Sequence, residues 1–169
     1  MTQPIFYFDK LKTWDKVTIV LYLFLSLGLW YYFDNATSIQ AQRDIIFFYG
    51  LGTQFFLYLF NYKSLRNLTV YVFWVLIGLL HLFLYFQLKD NPVLQNVRGN
   101  SATVLRNTII LLLLFQVLRF VSAKTQGVEL VCPSKGFKDD MFNDRPLTFI
   151  DCVLFIIYIG ATIILLTRN

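Results

Sequence analysis

At 169 residues, 57% of them hydrophobic, 18% aromatic and 15% charged, the chain is too apolar for an ordinary soluble domain. It is also short enough to be read as one domain. The net charge of +5 comes from residues spread between apolar stretches, and no nucleic-acid partner is expected.

Taken in chain order, the short polar stretch Met1–Lys16 leads into an uncharged run, Val17–Phe33, of 17 residues. A cleaved signal peptide would have an apolar region of about 7–15 residues before a small-residue cleavage site. This run is longer and ends in Trp30-Tyr31-Tyr32-Phe33-Asp34, so it is expected to remain as a membrane helix. Two more uncharged runs follow, Ile45–Tyr62 of 18 residues and Asn67–Leu88 of 22. Asn107–Ala123 and Thr148–Thr167 each carry a single charge, Arg119 and Asp151. A hydrocarbon core of about 30 Å takes about 20 helical residues, and tilt and snorkelling flanks accommodate somewhat shorter runs. The fold class predicted is all-α, a polytopic integral membrane bundle with five transmembrane helices, or four if Asn107–Ala123 does not cross.

Basic residues favour five. An N-terminus in the cytoplasm puts Lys10, Lys12, Lys16, Lys63, Arg66, Arg119, Lys124, Lys135, Lys138 and Arg145 inside and Arg43, Lys89, Arg98, Arg106 and Arg168 outside, 10 against 5. Without the fourth crossing the split becomes 6 inside and 9 outside. The expected arrangement is therefore N-terminus in, C-terminus out, with 124–147 a cytoplasmic loop. Aromatic belts agree: Trp14, Tyr62 and Tyr71 fall at inner ends, and Trp30, Tyr31, Tyr32, Tyr49 and Tyr85 near outer ends. Asp44 is placed to cap the second helix, and Thr148-Phe149-Ile150-Asp151 fits a capping box opening the fifth.

Three polar side chains lie at depth. Counted from the outer ends of their helices, Gln54, His81 and Gln116 share one level, which predicts an interhelical polar cluster near mid-membrane. Interhelical glue is its expected role; a quinone, lipid or proton site around His81 is the alternative. Arg119 in the last turns of the fourth helix and Asp151 in the first turn of the fifth could pair, or else snorkel and cap separately. Gly50 and Gly52 are expected to admit a neighbouring helix.

Reactive constellations are scarce. One His cannot supply two haem ligands, and no His/Cys/Glu cluster has metal-ligand spacing, so neither cofactor nor metal is expected. Cys132 and Cys152 lack a Cys-x-x-Cys arrangement, and no acid stands at mid-membrane to couple transport. Lys124–Leu147 reads as a connecting loop whose Phe137, Met141 and Phe142 could dock on a partner or the membrane surface. Only five Ala beside much Phe, Ile, Leu and Tyr points to an AT-rich bacterial genome and an inner-membrane location. The leading expectation is a non-enzymatic accessory subunit of a larger membrane complex, such as a translocon, secretion or transport machine. Its partners would be membrane lipids and other integral membrane subunits. A small enzyme or redox component with a quinone or lipid pocket near His81 is the second reading, and an oligomeric channel or carrier the third.

Overall fold

A computed structural model of the chain describes residues 7–96, 99–134, 138–142 and 145–167. Among them run five α-helices: α1 (Thr13–Asn35), α2 (Ile39–Phe55), α3 (Leu68–Leu88), α4 (Thr103–Gln126) and α5 (Phe149–Thr167). All but α2 are individually long and apolar enough to cross a membrane, and the protein is an all-α bundle. The 17 residues of α2 continue into a π-helical stretch, Phe56–Phe60, so the helical rod covers 39–60.

Contacts at the helix ends show why α2 belongs with the others. At one end of the bundle, Trp14 at the start of α1 donates from Nε1 to Asn61 Oδ1 (3.3 Å), and Tyr7 bridges Asn67 beside the start of α3. α1 and α3 thus begin together, and the rod 39–60 has to return over the distance α1 covered. At the other end, Arg43 near the start of α2 donates from Nε to the carbonyl of Val93, just beyond α3 (2.8 Å). α4 and α5 are likewise antiparallel, with Asn107 bonded to the carbonyl of Leu165 and Gln126 to Asp151.

Helix limits follow local chemistry. Asp44 does not open α2: the helix starts at Ile39, Ser38 accepts from the N–H of Ala41, and Asp44 accepts from Gln40 one turn earlier. Ser38 is a better stop because it precedes the first helical residue, whereas polar Gln40, Gln42 and Arg43 prolong the rod beyond the apolar run. Asn67 caps α3, and Asp15 accepts from the N–H of Lys12 (2.9 Å) to hold the start of α1. The Thr148–Asp151 box is formed in both directions, 3.0 and 3.2 Å. Gly127, at φ +68°, ends α4 in the left-handed region that disfavours side chains with a Cβ.

α4 is the central helix, packed against α2, α3 and α5. Its surroundings explain why it buries Thr103, Asn107, Thr108, Arg119 and Ser122, since polar groups survive at membrane depth only where protein surrounds them. Close approach to α2 depends on Gly50: a Cβ there would lie 2.7 Å from a Val104 methyl and 3.2 Å from its backbone. Gly52 has nothing within 4 Å, so of the expected pair only Gly50 seats a helix. α1, by contrast, presents Leu21, Phe24, Leu25 and Leu27 outward.

Beyond α4 the chain folds back under the bundle. Leu130, Val131 and Cys132 are buried there, Met141 N–H donates to the carbonyl of Cys132, and Tyr62 donates to buried Asp140 (2.7 Å). Residues 130–132, 140 and 141 of the connecting segment are therefore part of the packed core. Met141 packs against that core and Phe142 lies beside Tyr62 and Lys63; Phe137 falls outside the described residues. At the opposite end, β1 (Gln95–Asn96) pairs antiparallel with β2 (Gly99–Asn100) before α4.

Candidate functional site

The three polar residues expected to cluster go to different places. Gln54 donates to the carbonyl of Val104 (2.7 Å), and its own Oε1 is buried without a partner among the described residues. Gln116 donates to the carbonyl of Leu65 (3.2 Å) and receives Arg119 at 3.5 Å. His81, wholly buried, lies against Tyr22 of α1 and Thr108 of α4. The expected Gln54–His81–Gln116 cluster is thus corrected by the axial offset of α4. That helix faces His81 with Thr108, and Gln116, eight residues on, is about 12 Å further along the axis.

The hydroxyls around His81 have a fixed direction. Thr53 donates its one hydroxyl proton to the carbonyl of Tyr49 (2.7 Å), so across the 2.9 Å contact with Tyr22 it accepts. Tyr22 then accepts from His81 Nε2–H (2.9 Å), and a neutral ring leaves Nδ1 to accept from Thr108 (3.1 Å). By the same count, Ser26 donates to the carbonyl of Tyr22, so Tyr49 donates to Ser26. One directed chain, Thr108 to His81 to Tyr22 to Thr53 to a backbone carbonyl, ties α1, α2, α3 and α4 together. Sequence inspection finds His81 because it is the only one; lone Thr and Tyr in apolar runs carry no comparable signal.

His81→Leu is expected to lower stability by about 0.5–2 kcal/mol, since it removes both bonds. His81→Gln should stay near wild type, because an amide can donate to Tyr22 while accepting from Thr108. Thermal unfolding in detergent measures both; a Gln variant as weak as Leu would show that the directed chain is not what His81 supports.

Outside this network lies an open groove of about 810 Å³ between α1 and α2. Trp14, Leu21, Leu25 and Tyr32 form one wall, and Ile45, Phe48, Gly52 and Phe56 the other, with Tyr22, Tyr49 and Thr53 also lining it. His81 is not among the lining residues; Tyr22 separates it from the groove. Trp14 also lines a second, polar cavity of about 570 Å³ beneath the start of α1, together with Lys12, Asp15, Lys63 and Arg66. That indole is a wall common to both spaces.

Of the two readings of Arg119 and Asp151, the direct pair is not the one formed, and Asp151 caps its own helix. Arg119 makes a two-pronged ion pair with Glu129 (2.7 and 2.8 Å), and Asp151 receives Arg145 in the same way (2.7 and 2.8 Å). The reason is the turn at Gly127, which brings Glu129 back alongside α4, while Arg145 approaches the start of α5 from its own loop. Arg66 joins the first pair, with Nε 3.8 Å from Glu129. Burial pushes the Glu129 carboxyl up, but the Arg119 bonds and the Arg119 and Arg66 charges outweigh it and hold the group below its ordinary value. Cys132 moves the other way: burial, then the Asp140 carboxylate, pushes its thiol up to about 12. It is a packed core residue with no thiolate character at neutral pH.

Compared with protein families, with curated proteins and with solved structures, the chain matches none.

Proposed function

We propose that this integral membrane protein is non-enzymatic and holds a phospholipid-like amphiphile between α1 and α2. The observation that carries the reading is an apolar groove and a charged cavity at the bundle end that share Trp14 as a wall. An amphiphile needs both in that order, and the groove volume lies in the usual range for ligand sites. The hydroxyls of Tyr22, Tyr49 and Thr53 in the groove are already engaged in hydrogen bonds, which suits a hydrocarbon tail better than the carbonyls of a quinone. The space among Tyr58, Leu111, Phe115 and Tyr158 in the middle of the bundle is too small to hold a water molecule.

Gly52→Leu provides the test, because a side chain there enters the groove without meeting the fold. Protein purified in mild detergent is expected to carry phospholipid, and the variant about tenfold less at equal stability, as read by mass spectrometry of the extract. Lipid-free wild type would overturn the reading. If another membrane subunit co-purified in the lipid's place, the groove would be a seat for a partner helix. The protein would then be an accessory subunit of a larger complex, a reading that the apolar side chains displayed by α1 favour.

The orientation we infer places the start of α1, the 61–67 turn and the loop after α4 in the cytoplasm, at a bacterial inner membrane. The excess of Lys and Arg at that end supports it. With Cys132 and Cys152 replaced, Thr125→Cys should be shielded from an impermeant reagent in intact cells and Asn96→Cys labelled. The reverse pattern would invert the assignment.

A further inference from the structure

Resting on the reading that the groove holds an amphiphile, we propose that the cavity beneath Trp14 selects its headgroup, and that this is a phosphate bearing a primary amine, as in phosphatidylethanolamine.

The cavity brings cationic Lys12, Lys63 and Arg66 together with acidic Asp9 and Asp15. Asp15 is the informative member. It is 3% exposed, and its Oδ2 is taken by the N–H of Lys12 (2.9 Å). Its Oδ1 is buried with no hydrogen-bond partner among the described residues, although Asp15 lines the cavity. A buried carboxylate oxygen left in that state costs free energy that a donor in the cavity recovers, most strongly a charged N–H. A primary ammonium has three such donors; the trimethylammonium of phosphatidylcholine has none. The cations of the same cavity suit the phosphate: Lys63 Nζ stands 4.5 Å from the Phe142 ring at the cavity wall, and Arg66, which is also held by Glu129 and the Leu130 carbonyl, lines it too. The headgroup is therefore zwitterionic, with its positive end at Asp15 and its negative end toward Lys63 and Arg66. Trp14 sits where head gives way to tail, the boundary at which an indole is favoured.

The test is competitive exchange of phosphatidylethanolamine, phosphatidylcholine and phosphatidylglycerol with identical acyl chains onto the delipidated full-length protein in detergent, read by native mass spectrometry. Phosphatidylethanolamine is expected to exceed phosphatidylcholine by about tenfold, as one charged hydrogen bond would give. Asp15→Asn should erase that preference while total lipid stays bound, and Lys63→Gln should weaken phosphatidylethanolamine and phosphatidylglycerol alike. Equal binding of the amine and choline lipids, preference for phosphatidylglycerol, or an Asp15→Asn protein that still selects the amine would each overturn the headgroup assignment while the groove reading survives. Wild type that binds none of the three would remove the groove reading itself.

Discussion

Arg119→Ala is expected to destabilise the protein by about 3–5 kcal/mol, since removing one member of a buried ion pair leaves the other desolvated without compensation. Arg119 and Glu129 side chains are 4% and 12% exposed, so water does not replace the lost bonds. Arg66, 3.8 Å from Glu129, retains part of the attraction and places the loss toward the lower end of that range. Glu129→Ala should behave similarly, and the double variant should cost less than the sum of the two, the mark of a direct pair. Denaturant titration in detergent measures all three; strict additivity would exclude the pair. The pH dependence has a definite sign. Because the folded state holds the Glu129 carboxyl below its ordinary value, its contribution is present above that ordinary value and lost as pH falls through the depressed one. In Arg119→Ala the carboxyl loses that depression, so the share of acid destabilisation that comes from Glu129 shrinks.

A loss of similar size, about 3–5 kcal/mol, is expected for Asp151→Ala. Asp151 is fully buried and receives Arg145 twice, the Thr148 N–H and hydroxyl, and Gln126. Asp151→Asn keeps an acceptor for the cap and loses only the charged half of the arrangement, so about 1.5–3 kcal/mol is expected. Arg145→Ala should cost a comparable amount, as it leaves the buried Asp151 carboxylate without its charged partner. Equal stability of Asp151→Asn and Asp151→Ala would mean that capping contributes nothing beyond the ion pair.

The helices were readable because a membrane imposes its own grammar: an uncharged run has few alternatives to a spanning helix. Their ends were less so. α2 begins six residues before Ile45 because Gln40, Gln42 and Arg43 continue a helix outside the hydrocarbon as readily as they form a loop. The Thr148–Asp151 box could be read since both partners sit within one turn. Arg119's partner could not, as Glu129 lies ten residues on, across a reversal of chain direction, and only Gly127 after a helical run hinted at that reversal. The polar cluster failed for a related reason. Depth counted from the ends of apolar runs assumes that α4 starts level with its neighbours, and it does not; the hydroxyls that do meet His81 look like any others in an apolar stretch.

The two buried ion pairs also impose an order on synthesis. Arg66 and Arg119 both precede Glu129, and Arg145 precedes Asp151, so each cation leaves the ribosome before the anion that neutralises it. Until those anions are made, the arginines lack their final counter-charges; once the bundle closes, the same guanidiniums are internal fasteners. In the proposed orientation one side chain serves first as an address and later as a clasp, and Arg119→Ala is expected to act on both.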